Sequence, residues 1–200
     1  MKFQMNNNYY NQNAQAFFDG TIAVDMAPLY QRFEPYLPAH AKVVDAGCGS
    51  GRDTRYFLSR GHDVSAFDAS EAMVMLASES SGHKIWHSSF LEFQLPTATQ
   101  DAVWACASLL HVPTDELTAT FMHIAQWLKP DGILYCSFKY GVDVVERDGR
   151  RFTNLNEALI AKHLAPTALS VKELWLTSDL RPGRENEQWL NAILIKRTER

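Results

Sequence analysis

Along this chain the spacing of apolar residues switches repeatedly between the helical and the extended period. The first forty residues read as helical: Ala14, Phe17 and Phe18 share a face after a polar, Asn-rich start, and residues 24–36 carry apolar side chains at near-helical spacing before Pro38. Residues 43–46 predict a first strand, and a helix over about 53–59 stops at Gly61. Residues 62–67 predict a second strand ending at Asp68. Ser70 then caps a helix running through Met73, Leu76 and Ala77, with Glu71 in its first turn. A short third strand falls at 84–87. The fourth, at 101–106, is nearly all apolar, as expected of a strand covered on both faces. Residues 114–128 form an amphipathic helical pattern, and Lys129-Pro130-Asp131-Gly132 turns the chain into a fifth strand at 133–138. A helix near 156–163 precedes two extended segments, 168–176 and 189–196. The alternation predicts an α/β fold: a doubly wound, mainly parallel seven-stranded sheet with helices on both faces and its ligand outside the carboxyl ends of the strands. No repeat or low-complexity linker interrupts it, so one domain over 1–200 is expected.

Composition narrows this little. Two hundred residues, 46% hydrophobic and 21% charged, suit one globular domain with a sizeable core. A net charge of −4 gives no global attraction to nucleic acid, so such binding would need a local basic patch. Cys48, Cys106 and Cys136 lack metal-ligand spacing, so no metal is expected, and their odd number suits a reducing compartment. No apolar run approaches a membrane span and the opening residues have no signal-peptide core, so the expectation is a cytoplasmic protein with no membrane partner, monomeric or homodimeric.

The chemistry concentrates in residues 42–52, Lys-Val-Val-Asp-Ala-Gly-Cys-Gly-Ser-Gly-Arg. A short apolar strand runs into Gly47, Gly49 and Gly51, and a helical pattern follows. This is how an α/β protein brings bare backbone up to a nucleotide-like ligand. The G-x-G-x-G spacing is one residue short of the dinucleotide fingerprint, which argues against NAD. Asp68, at the end of the next strand, would face the same crevice, where a carboxylate accepts both hydroxyls of a ribose. The plainer alternatives are a tight loop for the glycines and a helix-cap partner for Asp68.

These residues resemble the first motif of the class I S-adenosylmethionine-dependent methyltransferases. Residues 68–73 (Asp-Ala-Ser-Glu-Ala-Met) are similar to the second motif of that family, 101–111 to the fourth, and 128–134 (Leu-Lys-Pro-Asp-Gly-Ile-Leu) to the turn before the fifth strand. Within the class the chain looks closest to small bacterial methyltransferases grouped with tellurite-resistance proteins, through residues 137–141, 148–152 and 179–183. The resemblance implies S-adenosylmethionine as cofactor, with S-adenosylhomocysteine as product. It implies a helical lid over 1–40, a cofactor-binding half over 41–140 and a substrate-side half over 141–200. Gly47, Gly49 and Gly51 would line the methionine part, with Asp45 acting through the loop. Asp68 would hold the ribose, and Ala69 and Met73 would pack on adenine. Ser89 stands where the family usually has an acid, beside Phe90, and Ala105 would lie near the sulfonium.

Several side chains carry two readings. Arg52 either pairs with the cofactor carboxylate or with Asp53 or a neighbouring acid. His111 is the candidate base, or a loop histidine closing the pocket wall. The aromatics around Tyr9, Tyr10, Phe17 and Phe18 form a water-excluding lid or the core of a docked helix. Lys139, Tyr140, Arg150, Arg151, Arg181 and Arg184 either recognise an anionic acceptor, with Tyr10, Lys139, Tyr140 and Arg181 as substrate contacts, or form a solvated face. Trp175 and Trp189 fit core packing. Three functions follow: a methyltransferase acting on a small molecule, one acting on RNA, DNA or protein, or a non-catalytic binder. Residues 105–108, Ala-Cys-Ala-Ser, hold no amide-and-aromatic clamp for a flipped base, and no nucleic acid partner is expected.

Overall fold

The computed structural model describes residues 2–198. Three helices come first: α1 (Lys2–Gln12), α2 (Ala14–Thr21) and α3 (Ala27–Phe33). Strands and helices then alternate through β1 (Lys42–Ala46), α4 (Arg52–Ser59), β2 (Asp63–Asp68), α5 (Glu71–Ser81), β3 (Ile85–His87) and β4 (Gln100–Ala105). α6 (Thr114–Trp127) leads into β5 (Leu128–Lys139), which is followed by β6 (Val144–Arg147), β7 (Arg150–Thr153), α7 (Glu157–Leu164), β8 (Leu169–Ser178) and β9 (Gln188–Lys196). Seven strands form one sheet in the order β3-β2-β1-β4-β5-β9-β8. The first five are parallel, and β9 inserts antiparallel between β5 and β8. The order reverses between β1 and β4, the switch point where a doubly wound sheet leaves a crevice at its carboxyl edge.

Alternation along the central strands feeds two cores. Val43, Val64, Ala66, Ala102, Trp104 and Tyr135 pack with Phe33 of α3 and Phe57 of α4. Val44, Ala46, Phe67, Val103, Ala105 and Leu134 pack on the other face with Leu117, Phe121 and Ile124 of α6. Trp104, fully buried, stacks on Tyr135 at 4.0 Å between ring centroids and meets the edge of Phe33 at 4.9 Å. Apolar burial of this kind, on both faces of the sheet, is the main force holding the frame. Trp175 and Trp189 pack against these cores, each partly buried. Among the described residues no helix is long and apolar enough to cross a membrane.

Two departures from the sequence expectation bear on the cleft. β5 begins at Leu128 rather than near 133, because the Lys-Pro-Asp-Gly segment is an irregularity inside the strand: Leu128 already pairs with Gln100 before regular register resumes at Ala102 and Ile133. The β6–β7 hairpin has no counterpart in the predicted elements. All four residues of β6 are exposed, so no apolar alternation marks it. Its signal was the turn dipeptide Asp148-Gly149, where both residues adopt positive φ (53° and 72°), the mirror-image turn that closes two-residue hairpins.

Candidate functional site

The glycine turn closes the carboxyl end of β1. The amides of Gly47 and Cys48 both donate to the Phe67 carbonyl, tying the turn to β2, and all three glycines take positive φ. Their missing side chains answer different needs. A Cβ on Gly47 would lie 2.5 Å from that of Ser108, and one on Gly51 would press on Ala77 of α5 at 3.1–3.3 Å. A Cβ on Gly49 would meet only the edge of the Phe17 ring, at 3.4 Å. Gly47 and Gly51 therefore serve close packing, whereas Gly49 presents bare backbone to open space.

Asp68 completes this corner. Its two carboxylate oxygens accept from the Gly49 and Ser70 amides, each at 2.9 Å, and Asp68 lines the cleft with acceptor capacity beyond these bonds. Burial pushes its carboxyl above the usual range, against the pull of those amides. Ser70 caps α5 by accepting from the Met73 amide, so Asp68 is not needed for that bond. Beside it a chamber of about 660 Å³ including its mouth is lined by Ala69, Met73, Ser89 and Phe90, among others. The Ser89 hydroxyl donates to Glu92 at 2.6 Å.

A second chamber, about 990 Å³ including its mouth, opens on the far side of the turn. Tyr10, Phe17, Gly47, Gly49, Ala107 and His111 border both chambers. Lys139, Arg181, Arg150, Phe152 and Trp189 line the second. Arg52 lines it too, but is held by Asp53 through two bonds of 2.7 and 2.9 Å. Asp53 also accepts from Tyr30 (2.5 Å) and the Trp104 indole (2.8 Å). Burial alone would raise Asp53; Arg52 and these donors hold it below the usual carboxylate range.

The structure does not bring every expected residue to the cleft. Asp45 is buried behind the turn, accepting from Thr54 at 2.6 Å, and burial with the nearby Asp53 charge pushes its pKa up. Gly51 backs onto α5 and Ala105 is fully buried, so that the chain reaches the cleft after the end of β4, from Cys106 and Ala107 onward. Tyr140 points away, exposed, and bonds Glu157. Reading the sequence missed Asn6, whose side chain clasps both backbone groups of Arg151 (2.7 and 3.2 Å), and Phe152, delivered by the unforeseen hairpin.

At the junction of the chambers stand Tyr10 and His111. His111 Nδ1 lies 3.0 Å from the Arg151 carbonyl, which only accepts, so Nδ1 carries the hydrogen. Nε2 then holds a lone pair, and the Tyr10 hydroxyl donates to it at 2.8 Å. Burial pulls His111 down to about 4 and pushes Tyr10 up to about 12.

Residues 43–132 match the methyltransferase domain family. The chain is 33% identical over 101 residues to the malonyl-[acyl-carrier protein] O-methyltransferase of Enterobacter lignolyticus, covering 49% of this chain and 39% of that protein. It is 32% identical over 119 residues to the putative methyltransferase YqeM of Bacillus subtilis, covering 53% and 47%. Among solved structures, the 1,6-didemethyltoxoflavin-N1-methyltransferase of Burkholderia thailandensis, with its substrate and S-adenosylhomocysteine bound, superposes with a TM-score of 0.74. It is 22% identical, over 96% of this chain and 85% of that one. The chain has a Rossmann-like methyltransferase fold. The magnesium protoporphyrin IX methyltransferase of Synechocystis, with bound S-adenosylmethionine, shares this methyltransferase fold at a TM-score of 0.74 and 20% identity, over 99% and 98% of the two chains. The chain spans less than half the length of the curated methyltransferases it matches.

Proposed function

We propose that this protein transfers the methyl group of S-adenosylmethionine to a small-molecule acceptor. The observation that carries the reading is the pair of chambers meeting at the β1–β4 switch point, with Asp68 in one of them and Gly49, Tyr10 and His111 between them. The residues fit the cofactor: the turn presents open backbone at Gly49, and Asp68 keeps free acceptor capacity beside an apolar chamber. Gly47, Gly49 and Arg52 would hold the methionine end, with Asp45, Gly51 and Ala105 supporting from behind. Asp68 would take the ribose hydroxyls, and Ala69, Met73, Ser89 and Phe90 the adenine. When bound, the cofactor supplies an electrophilic methyl group on a sulfonium.

The protein's share is then to position the acceptor, exclude water and move a proton. An acceptor proton passes to the Tyr10 oxygen as the Tyr10 proton passes to His111 Nε2. The resulting imidazolium stays anchored through Nδ1–H on the Arg151 carbonyl. The second chamber is bordered by several cations, of which Arg150 has no carboxylate nearer than 3.9 Å among the described residues, and these favour an acceptor that carries negative charge. A net charge of −4 and the absence of a base clamp after β4 disfavour RNA or DNA as substrate. The likeness to tellurite-resistance-related methyltransferases rests on residues 137–141, 148–152 and 179–183, and all three segments contribute to the second chamber.

Calorimetric titration with S-adenosylhomocysteine and with NAD tests the cofactor directly. Binding of S-adenosylhomocysteine alone is expected; binding of NAD alone overturns the reading. A metabolite extract incubated with methyl-labelled cofactor then reports the acceptor.

A further inference from the structure

The cations at the mouth of the second chamber are not equivalent. Lys139 is bonded to Glu187, and Arg184 donates to the same carboxylate at 2.6 and 2.8 Å. Arg147 also approaches Glu187, at 3.6 Å. Arg181 forks onto both oxygens of Asp179, which the Trp189 indole also engages at 3.1 Å. Lys139 and Arg181, two of the cations the sequence offered for an anion, are therefore each already engaged by a carboxylate.

Arg150 is different. Its side chain is only 11% exposed, and among the described residues its nearest carboxylate is Asp148 at 3.9 Å, which is itself 65% exposed. Its Nε is buried without an acceptor among the described residues. The guanidinium lies over the Tyr9 ring at 4.3 Å and near Phe152 at 5.2 Å, so it is stacked in place. It lines the chamber beside Tyr10, whose hydroxyl it makes more acidic than burial alone would. A stacked guanidinium held in a cleft, its one carboxylate neighbour exposed and 3.9 Å away, is suited to a planar, bidentate anion.

We infer that Arg150 is the anchor for a carboxylate on the acceptor, which thereby lies next to the Tyr10–His111 pair. Phe17, Phe152 and Trp189 give the chamber aromatic walls for the body of that molecule. The inference rests on the second chamber being the acceptor site, and it does not require methyl transfer to be observed.

Saturation-transfer NMR on the full chain, with and without S-adenosylhomocysteine, tests it with substituted benzoates and their matched benzamides as probes. The benzoates should bind about tenfold more tightly than the matched benzamides, the size expected for a charge-assisted pair. Arg150→Gln should erase that preference while affinity for S-adenosylhomocysteine stays within about twofold, and Arg150→Lys should restore part of it. Absence of a preference in the wild type, including absence of binding, overturns the assignment, as does a preference that survives Arg150→Gln. A preference for benzoates with no binding of S-adenosylhomocysteine would instead strike down the methyltransferase reading and leave the anion site standing.

Discussion

At His111 hydrogen bonding selects the tautomer and burial keeps the ring neutral. An unfolded histidine titrates near 6.5, and this one near 4, so between those values the unfolded chain binds the extra proton. Stability is therefore expected to fall as pH drops from 6.5 towards 4, by up to about 3 kcal/mol from this residue. Urea midpoints at pH 7 and 4.5 check the sign: His111→Gln should lose stability less steeply over that interval than the wild type. At Asp68 the expected loss is of a ligand. Asp68→Ala should weaken S-adenosylhomocysteine binding by roughly 1–3 kcal/mol through removal of charged hydrogen bonds, measured by calorimetry. Asp68 was legible in the sequence because a strand end following a glycine turn can face only one crevice. Arg150 was not. Its distinction from Lys139 and Arg181 arises from Glu187 and Asp179, acids at the two ends of the loop between β8 and β9, and no spacing along the chain reveals which cations they engage.

Among elements, α1 and the β6–β7 hairpin are joined chiefly through Asn6. Its amide accepts from the Arg151 N–H at 2.7 Å and donates to the carbonyls of Arg151 and His111 at 3.2 and 3.4 Å. Asn6→Ala should cost about 1–2 kcal/mol, lowering Tm by roughly 2–8 °C in calorimetric scans. The parallel strands were legible because burial on both faces leaves an apolar run, as at residues 101–106. The hairpin was hidden because an exposed ribbon has no apolar face to alternate. Only its Asp-Gly turn spoke for it.

For the whole molecule, the reversal at the end of the sheet matters most. The family match stops at residue 132, yet β5 is paired on its far side by β9 from Ile133 to Lys139. A fragment of residues 40–140 would bare that long apolar edge, and should aggregate or melt without a cooperative transition, whereas the full chain should show one. Circular dichroism and light scattering on the two proteins decide this. The wall shared by the two chambers has a consequence of another kind. Since Tyr10, Phe17 and His111 border both, whatever packs against one side of them alters what the other side meets. The two sites are then thermodynamically linked, and linkage is reciprocal: the factor by which S-adenosylhomocysteine changes the affinity of a benzoate must equal the factor by which that benzoate changes the affinity of S-adenosylhomocysteine. Tyr10→Ala, which removes most of the partition on α1, should bring both factors towards one.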